Sequence, residues 1–312
     1  MQRISVAGLF EPGAPTAAID RQIAEVARDL GFLLLGDLPD WAAVPARRRR
    51  TLTAVFDLPA AEKQRLSRRR HNPQSANLYR GFDPLGRAYR PDSERMDVGP
   101  DVVSPARARA GAHPLQEPTP LPREELLPGW STAAAAYYAA MERLGGALLR
   151  ALARAFALPE ETFAGRFDGG ISTLRFIHYR PEAASGAIMA GAHEDTGFTT
   201  LLHQDEAGGL ELQARDGSWH AVPPAEGQLA VNFGLLFERW TQGRVRATPH
   251  RVANPGRPRF SIAFFHEPAF DARIAPLPDA TARFEPFDYG PFLWREMQRY
   301  RDFDTIEAEN AA

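Results

Sequence analysis

His193 and Asp195 stand two residues apart in Gly191-Ala192-His193-Glu194-Asp195-Thr196. On an extended backbone, side chains at i and i+2 share a face. An imidazole and a carboxylate would then converge on one point, with Glu194 turned away. Two such groups hold a metal poorly, so the pattern asks for a third ligand. The chain contains no cysteine. That excludes thiolate ligands, disulfides and cysteine nucleophiles, and leaves nitrogen and oxygen donors. The remaining histidines are His71, His113, His178, His203, His220, His250 and His266. His250 stands out by its surroundings, Thr248-Pro249-His250-Arg251-Val252-Ala253-Asn254, followed by Arg259-Phe260-Ser261. Two neutral imidazoles and one carboxylate on one face of an octahedron leave three positions open. That is the arrangement of non-haem Fe(II) oxygenases, where a bidentate organic acid and O2 share the iron.

Arg259 and Ser261 are again an i, i+2 pair and would share a face of a strand. A guanidinium with a hydroxyl beside it suits one end of a dicarboxylate, because arginine offers a fixed two-pronged donor. Tyr179 could add a further hydroxyl. The site would hold a 2-oxo acid by its far carboxylate while its keto and near carboxylate groups meet the metal. Each motif alone is common. The ordered set, H-x-D, a distant His, then R-x-S, within a strand-rich half of the chain, is far more specific. Arg175 fits either a substrate carboxylate or a buried ion pair. Phe233 and Phe265 fit a core or a pocket wall.

The chain of 312 residues suffices for one large core. A hydrophobic content of 44% and a charged content of 24% are those of an ordinary globular enzyme. A net charge of −2 gives no reason to expect nucleic acid or an anionic membrane as partner. Met1 to Phe10 lacks a secretory pattern and no apolar run reaches membrane length, so a cytoplasmic location is expected. Helices are expected over Asp20 to Leu30, Trp41 to Phe56, from Pro59, over Trp130 to Leu158, and over Tyr289 to Arg301. His71 to Asp101 reads as a long ordered loop or irregular strand pair, the kind of segment that lines sites. From Gly170 onward short alternating segments recur between turn signals, the pattern of a β-sandwich or jelly roll. Residues 1–129 form an N-terminal helix and strand region. Residues 130–312 carry the long helix, the catalytic β core and the closing helix, the two parts making one compact unit.

These motifs resemble those of the Fe(II)/2-oxoglutarate-dependent dioxygenases of the isopenicillin N synthase-like family. The likeness extends over Phe56-Asp57-Leu58-Pro59-Ala60-Ala61-Glu62-Lys63, Tyr79-Arg80-Gly81-Phe82, Leu174-Arg175-Phe176-Ile177-His178-Tyr179, His250-Arg251-Val252, Asn254-Pro255 and Tyr289-Gly290. The resemblance implies an α+β fold with a mainly β core, a double-stranded β-helix (jelly roll, cupin-like) with flanking helices. It implies His193, Asp195 and His250 as iron ligands, and Arg259 and Ser261 on the 2-oxoglutarate C5 carboxylate with Tyr179 as an auxiliary contact. Fe(II), 2-oxoglutarate and O2 are the expected cofactors. A small molecule, amino-acid-derived or a secondary-metabolite intermediate, is the expected substrate, and hydroxylation the default outcome. Tyr79, Arg80, Arg95, Arg175, Phe233 and Phe265 are the candidate substrate contacts. The chain departs from the family at Asn232-Phe233-Gly234-Leu235, where Gly-Asp is common, and at His178, where Asn or Tyr is common. Two alternatives stand beside this reading: an iron oxidase or cyclase of the same fold that does not use 2-oxoglutarate, and a zinc-binding β-sandwich hydrolase. Nothing in the residues sets the oligomeric state.

Overall fold

The computed structural model describes residues 1, 3–86, 92–108, 113–180, 186–278, 281 and 284–299. Strand β1 (Arg3–Ser5) leads into helix α1 (Ala17–Asp29), whose Ile23 and Ala27 are fully buried. Gly31, at φ 67°, turns the chain out of α1 into strand β2 (Phe32–Gly36). A Cβ at Gly31 would stand 2.3 Å from the Arg246 carbonyl oxygen, so both the conformation and the space call for glycine. The helix expected over Trp41 to Phe56 is shorter. Pro45 has no N–H to donate and takes an extended ψ of 161°. It therefore starts α2 (Ala46–Thr53), which tightens into a 3-10 turn over Ala54–Asp57. Helix α3 (Ala60–Leu66) starts behind Pro59 as expected.

The His71 to Asp101 stretch contains a strand pair, β3 (Gly81–Asp83) and β4 (Ser93–Val98). Tyr89 lies outside the described residues. Helix α4 (Trp130–Ala155) buries Tyr137, Met141, Leu144, Leu148 and Leu152 at helical spacing, and the short α5 (Glu161–Ala164) follows. Then come β5 (Thr173–Tyr179), β6 (Ile188–His193), β7 (Thr199–Gln204), β8 (Leu210–Gln213), β9 (Trp219–Ala221) and β10 (Leu229–Phe233). Helix α6 (Leu235–Trp240), β11 (His250–Ala253), β12 (Arg259–His266), the small pair β13 (Arg273–Ile274) and β14 (Phe287–Asp288), and α7 (Tyr289–Met297) complete the order. The last two residues of the expected closing helix lie outside the described residues.

Eight strands form the large sheet in the order β1-β2-β10-β7-β12-β5-β4-β3, and β6-β11-β8-β9 form a smaller one. This is the double-stranded β-helix, or jelly roll. Alternation along each strand separates two faces of the large sheet. Leu33, Val231, Phe233, Leu201, Ile262, Phe264, Leu174, Phe176 and Met96 join the core that includes α4. The opposite face looks at the small sheet: Phe32, Leu34 and Ala230 pack on Leu210 and Leu212, and Tyr179 packs on Ala190 and Val252. The helices therefore back the sheet, and the space between the sheets is left for the site. Among the described residues no helix is long and apolar enough to cross a membrane.

Candidate metal centre

β6 ends at His193, and β11 begins at His250 directly opposite it in antiparallel register. The two rings lie 4.4 Å apart between centroids. Asp195 follows two residues after His193, and its Oδ1 is 3.8 Å from Nε2 of each histidine. One ligand atom from each residue lies within 4.8 Å of the others. His193 Nδ1 faces the Gly191 carbonyl at 2.9 Å and His250 Nδ1 faces the Thr248 carbonyl at 3.1 Å. A carbonyl only accepts, so Nδ1 carries the proton on each ring and Nε2 keeps the lone pair. Three acceptors thus converge on one point, a donor set that a divalent cation fits.

Asp195 is held from the large sheet. Thr200 Oγ1 on β7 and Asn232 Nδ2 on β10 donate to Asp195 Oδ2 at 2.5 and 2.7 Å. Thr200 and Asn232 are direct cross-strand partners, so two neighbouring strands fix one carboxylate oxygen and leave Oδ1 turned to the histidines. The Asp195 carbonyl also accepts from the Leu235 N–H at 2.8 Å, which ties the loop to the start of α6. Burial opposes ionisation of Asp195. The charge of His250 and His193 when both ring nitrogens are protonated, together with the donors on Thr200 and Asn232, outweighs it and holds the carboxyl below its ordinary range; with the rings neutral, as a metal requires, the two donors remain.

Arg259 and Ser261 lie on the inner face of β12, both about 1% exposed. Among the described residues, Arg259 Nε and Nη1 are buried without a hydrogen-bond partner. A buried guanidinium in that state fits an anion, and a carboxylate matches its fork. Tyr179 meets this group with its ring: the Arg259 guanidinium carbon lies 4.6 Å from the ring centroid. That ring contact with the guanidinium is a cation–π arrangement, formed beside the position expected for the auxiliary contact.

The candidate substrate contacts divide. Arg95, Arg175 and Phe265 sit on the inner face, by the register Arg95 with Ile177, Arg175 with Ala263 and Phe265 with Thr173. Tyr79 joins them through its hydroxyl, 3.0 Å from Thr173 Oγ1. Arg95 forms part of an ion cluster with Asp83 and Arg68. Arg80 does not belong: it is fully buried, donates to the Leu115 carbonyl and lies against Gly99. Phe233 does not belong either. Its neighbour Asn232 faces the site, so alternation turns Phe233 to the helix side, where it packs on Phe237.

The other histidines are used elsewhere. His178 stacks on Phe260, 4.3 Å between centroids. His266 is buried against Gly145 and desolvation depresses its pKa to about 3. Burial lowers His203 to about 4.

Glu267 was not singled out by the sequence. It is buried beside Gly197, accepts from the Tyr289 hydroxyl, and burial raises its pKa to about 8. An acid whose folded pKa exceeds its unfolded one favours the fold at low pH. That contribution is lost as pH rises from about 4.5 to about 8. Glu267→Gln mimics the neutral acid at every pH. Its stability relative to the parent is expected to climb by on the order of 2 kcal/mol between about pH 5.5 and about pH 7.5. Denaturant unfolding at both pH values checks this; a pH-independent difference would contradict it.

The 2OG-Fe(II) oxygenase superfamily model matches residues 170–268, the segment that carries the triad, Arg259 and Ser261. A 2-oxoglutarate-Fe(II) type oxidoreductase of Aspergillus fumigatus is 32% identical over 284 residues, covering 85% of this chain and 82% of its own length. Proline hydroxylase buaE of Petromyces alliaceus is 29% identical over 290 residues, covering 85% and 86%. Among solved structures, a full-length Neurospora crassa protein in complex with alpha-KG is similar at a TM-score of 0.82 and 25% identity, covering 96% of each chain.

Proposed function

Because the chain belongs to the 2OG-Fe(II) oxygenase superfamily, we propose that His193, Asp195 and His250 hold its Fe(II) and that Arg259 and Ser261 hold the far carboxylate of 2-oxoglutarate. The enzyme uses Fe(II), 2-oxoglutarate and O2. Bound together, they supply the oxidising power for C–H oxidation, and the cosubstrate leaves as succinate and CO2. The protein contributes position and charge. Both Nδ1–H groups are tied to backbone carbonyls, so the two Nε2 lone pairs stay aimed at one point. Thr200 and Asn232 restrain Asp195 to one available oxygen. Arg259 neutralises a carboxylate where water is excluded, with the Tyr179 ring against the guanidinium.

One observation carries this reading. The inner space holds, at one point, three converged acceptors suited to a cation, and at another, a buried guanidinium suited to an anion. The similarity to a proline hydroxylase supports a small molecule, amino-acid-derived or from secondary metabolism, as the substrate and hydroxylation as the outcome. The reading includes no nucleic acid or membrane partner. Succinate release that needs Fe(II), O2 and a candidate small molecule is the test, with the product identified by a mass increase of one oxygen. Turnover supported by zinc, without succinate, would contradict it.

Asn232→Leu and Thr200→Val remove one donor each from Asp195 Oδ2. Each is expected to weaken Fe(II) binding by about ten- to a hundredfold. Anaerobic metal titration reads this directly. Unchanged affinity in both variants would show that the Asp195 oxygen needs no restraint.

A further inference from the structure

Asp195 does not lie in a strand. It sits in residues 194–198, between the end of β6 and the start of β7, so no sheet ladder holds its backbone. Three holds come from the start of α6. The N–H groups of Gly234, Leu235 and Leu236 donate to the carbonyls of Phe198, Asp195 and Thr196 at 2.8, 2.8 and 3.2 Å. A further hold comes from Glu267, the residue after β12. Its buried carboxyl group takes the Phe198 N–H and rests on Gly197, where a Cβ would collide with it.

Glu267 is anchored in turn. Its N–H donates to Ser172 Oγ at 3.0 Å, and the Ser172 carbonyl accepts from the Tyr138 hydroxyl of α4 at 2.7 Å. Its carboxyl group also hydrogen-bonds the Tyr289 hydroxyl. Tyr289 is the first residue of α7 and is fully buried. Its ring meets that of Phe198 edge to face, 5.4 Å between centroids. One buried carboxyl group therefore joins the start of the C-terminal helix to the backbone that carries Asp195.

A buried carboxyl group is costly, and an apolar side chain would serve plain packing of α7 as well. What the carboxyl group adds is direction: one oxygen for each partner, at a fixed separation. Thr200 and Asn232 fix the Asp195 side chain, while α6 and Glu267 fix the segment it stands on. A metal ligand tolerates little displacement, so Oδ1 meets the two Nε2 atoms only if both are held.

We propose that Glu267 and Tyr289 are positioning residues for the metal centre, and that they couple docking of α7 to metal binding. This rests on the proposed ligand set. The coupling is reciprocal: a docked helix that favours the metal is favoured by the metal to the same factor.

The test uses the full chain under argon, at a temperature where each apo variant is folded by circular dichroism. Fe(II) affinity is measured first, with the charge-transfer band that 2-oxoglutarate then brings. Glu267→Leu is expected to weaken Fe(II) binding by about tenfold or more. Tyr289→Phe, which keeps the ring contact, should weaken it by about three- to tenfold. Glu267→Gln still offers an oxygen to the Phe198 N–H and an amide to the Tyr289 oxygen, and should stay within about twofold of the parent. A merely structural role would lower the unfolding midpoint and leave the metal affinity of the folded protein unchanged. Hydrogen exchange of the α7 amides is then compared with and without Fe(II) and 2-oxoglutarate. In the parent it should slow by about tenfold on loading, and in Glu267→Leu that protection should vanish. Should Glu267→Leu not fold, Tyr289→Phe carries both measurements. Parent-like Fe(II) affinity in either folded variant, a loss in Glu267→Gln equal to that in Glu267→Leu, or α7 exchange in the parent that ignores the metal overturns the proposal. A parent that binds no Fe(II), or develops no band, would instead overturn the metal assignment, so the two failures are distinct.

Discussion

Asp195→Ala is expected to abolish tight Fe(II) binding and to lower turnover by about three orders of magnitude or more. Asp195 Oδ1 is the donor that lies 3.8 Å from both Nε2 atoms, and without it two imidazoles remain. The change also leaves the Thr200 hydroxyl and the Asn232 amide without their acceptor, at about 1–3 kcal/mol of stability. Metal titration and unfolding are therefore measured together. A variant that folds in apo form with no more than that loss, gains no stabilisation from Fe(II), and makes no succinate is the expected outcome. A variant that retains Fe(II) affinity would remove Asp195 from the ligand set.

The second large effect is expected at Arg259. Arg259→Met should weaken 2-oxoglutarate by about a hundred- to a thousandfold, because a buried carboxylate loses its counter-ion and both hydrogen bonds. The apo protein should respond the other way. Arg259 is about 1% exposed, and two of its nitrogens are buried without a hydrogen-bond partner among the described residues. Replacing it with an apolar side chain of similar length removes a buried charge, so apo stability should be unchanged or higher. Arg259→Lys keeps the charge but loses the fork, and should fall between the two. Lower apo stability with intact 2-oxoglutarate affinity would make Arg259 a structural residue.

The candidate metal and carboxylate residues were legible from their spacing. Arg259 and Ser261 share a face of β12 by strand geometry, whereas Asp195 lies in the loop after β6 ends at His193 and is held beside the histidines by Thr200 and Asn232. The choice of His250 needed its neighbours, and the register that sets it opposite His193 appears only in the folded sheet. The α4 stripe and the run of short strands were also plain from spacing. What failed depended on partners distant in sequence. Phe233 is adjacent to Asn232, so only one of the two can face the site, and nothing local says which. Arg80 looks like a pocket residue by composition, yet it reaches the Leu115 carbonyl. Arg175 was open between a substrate contact and an ion pair until Asp97 appeared opposite it on β4. Glu267 gave no signal because its shift comes from burial, which a sequence does not display. The expected Trp41 to Phe56 helix is cut short because Pro45, extended at ψ 161°, can only precede it.

The most direct measurement is an anaerobic titration of the protein with Fe(II) and 2-oxoglutarate, followed in the visible. The expected result is a weak charge-transfer band that needs both components and saturates at one equivalent of each. It should be lost in Asp195→Ala and His250→Ala, and shifted to high 2-oxoglutarate concentration in Arg259→Met. A protein that binds Fe(II) without developing the band, or one in which the band survives loss of His250, would contradict the assignment of this site.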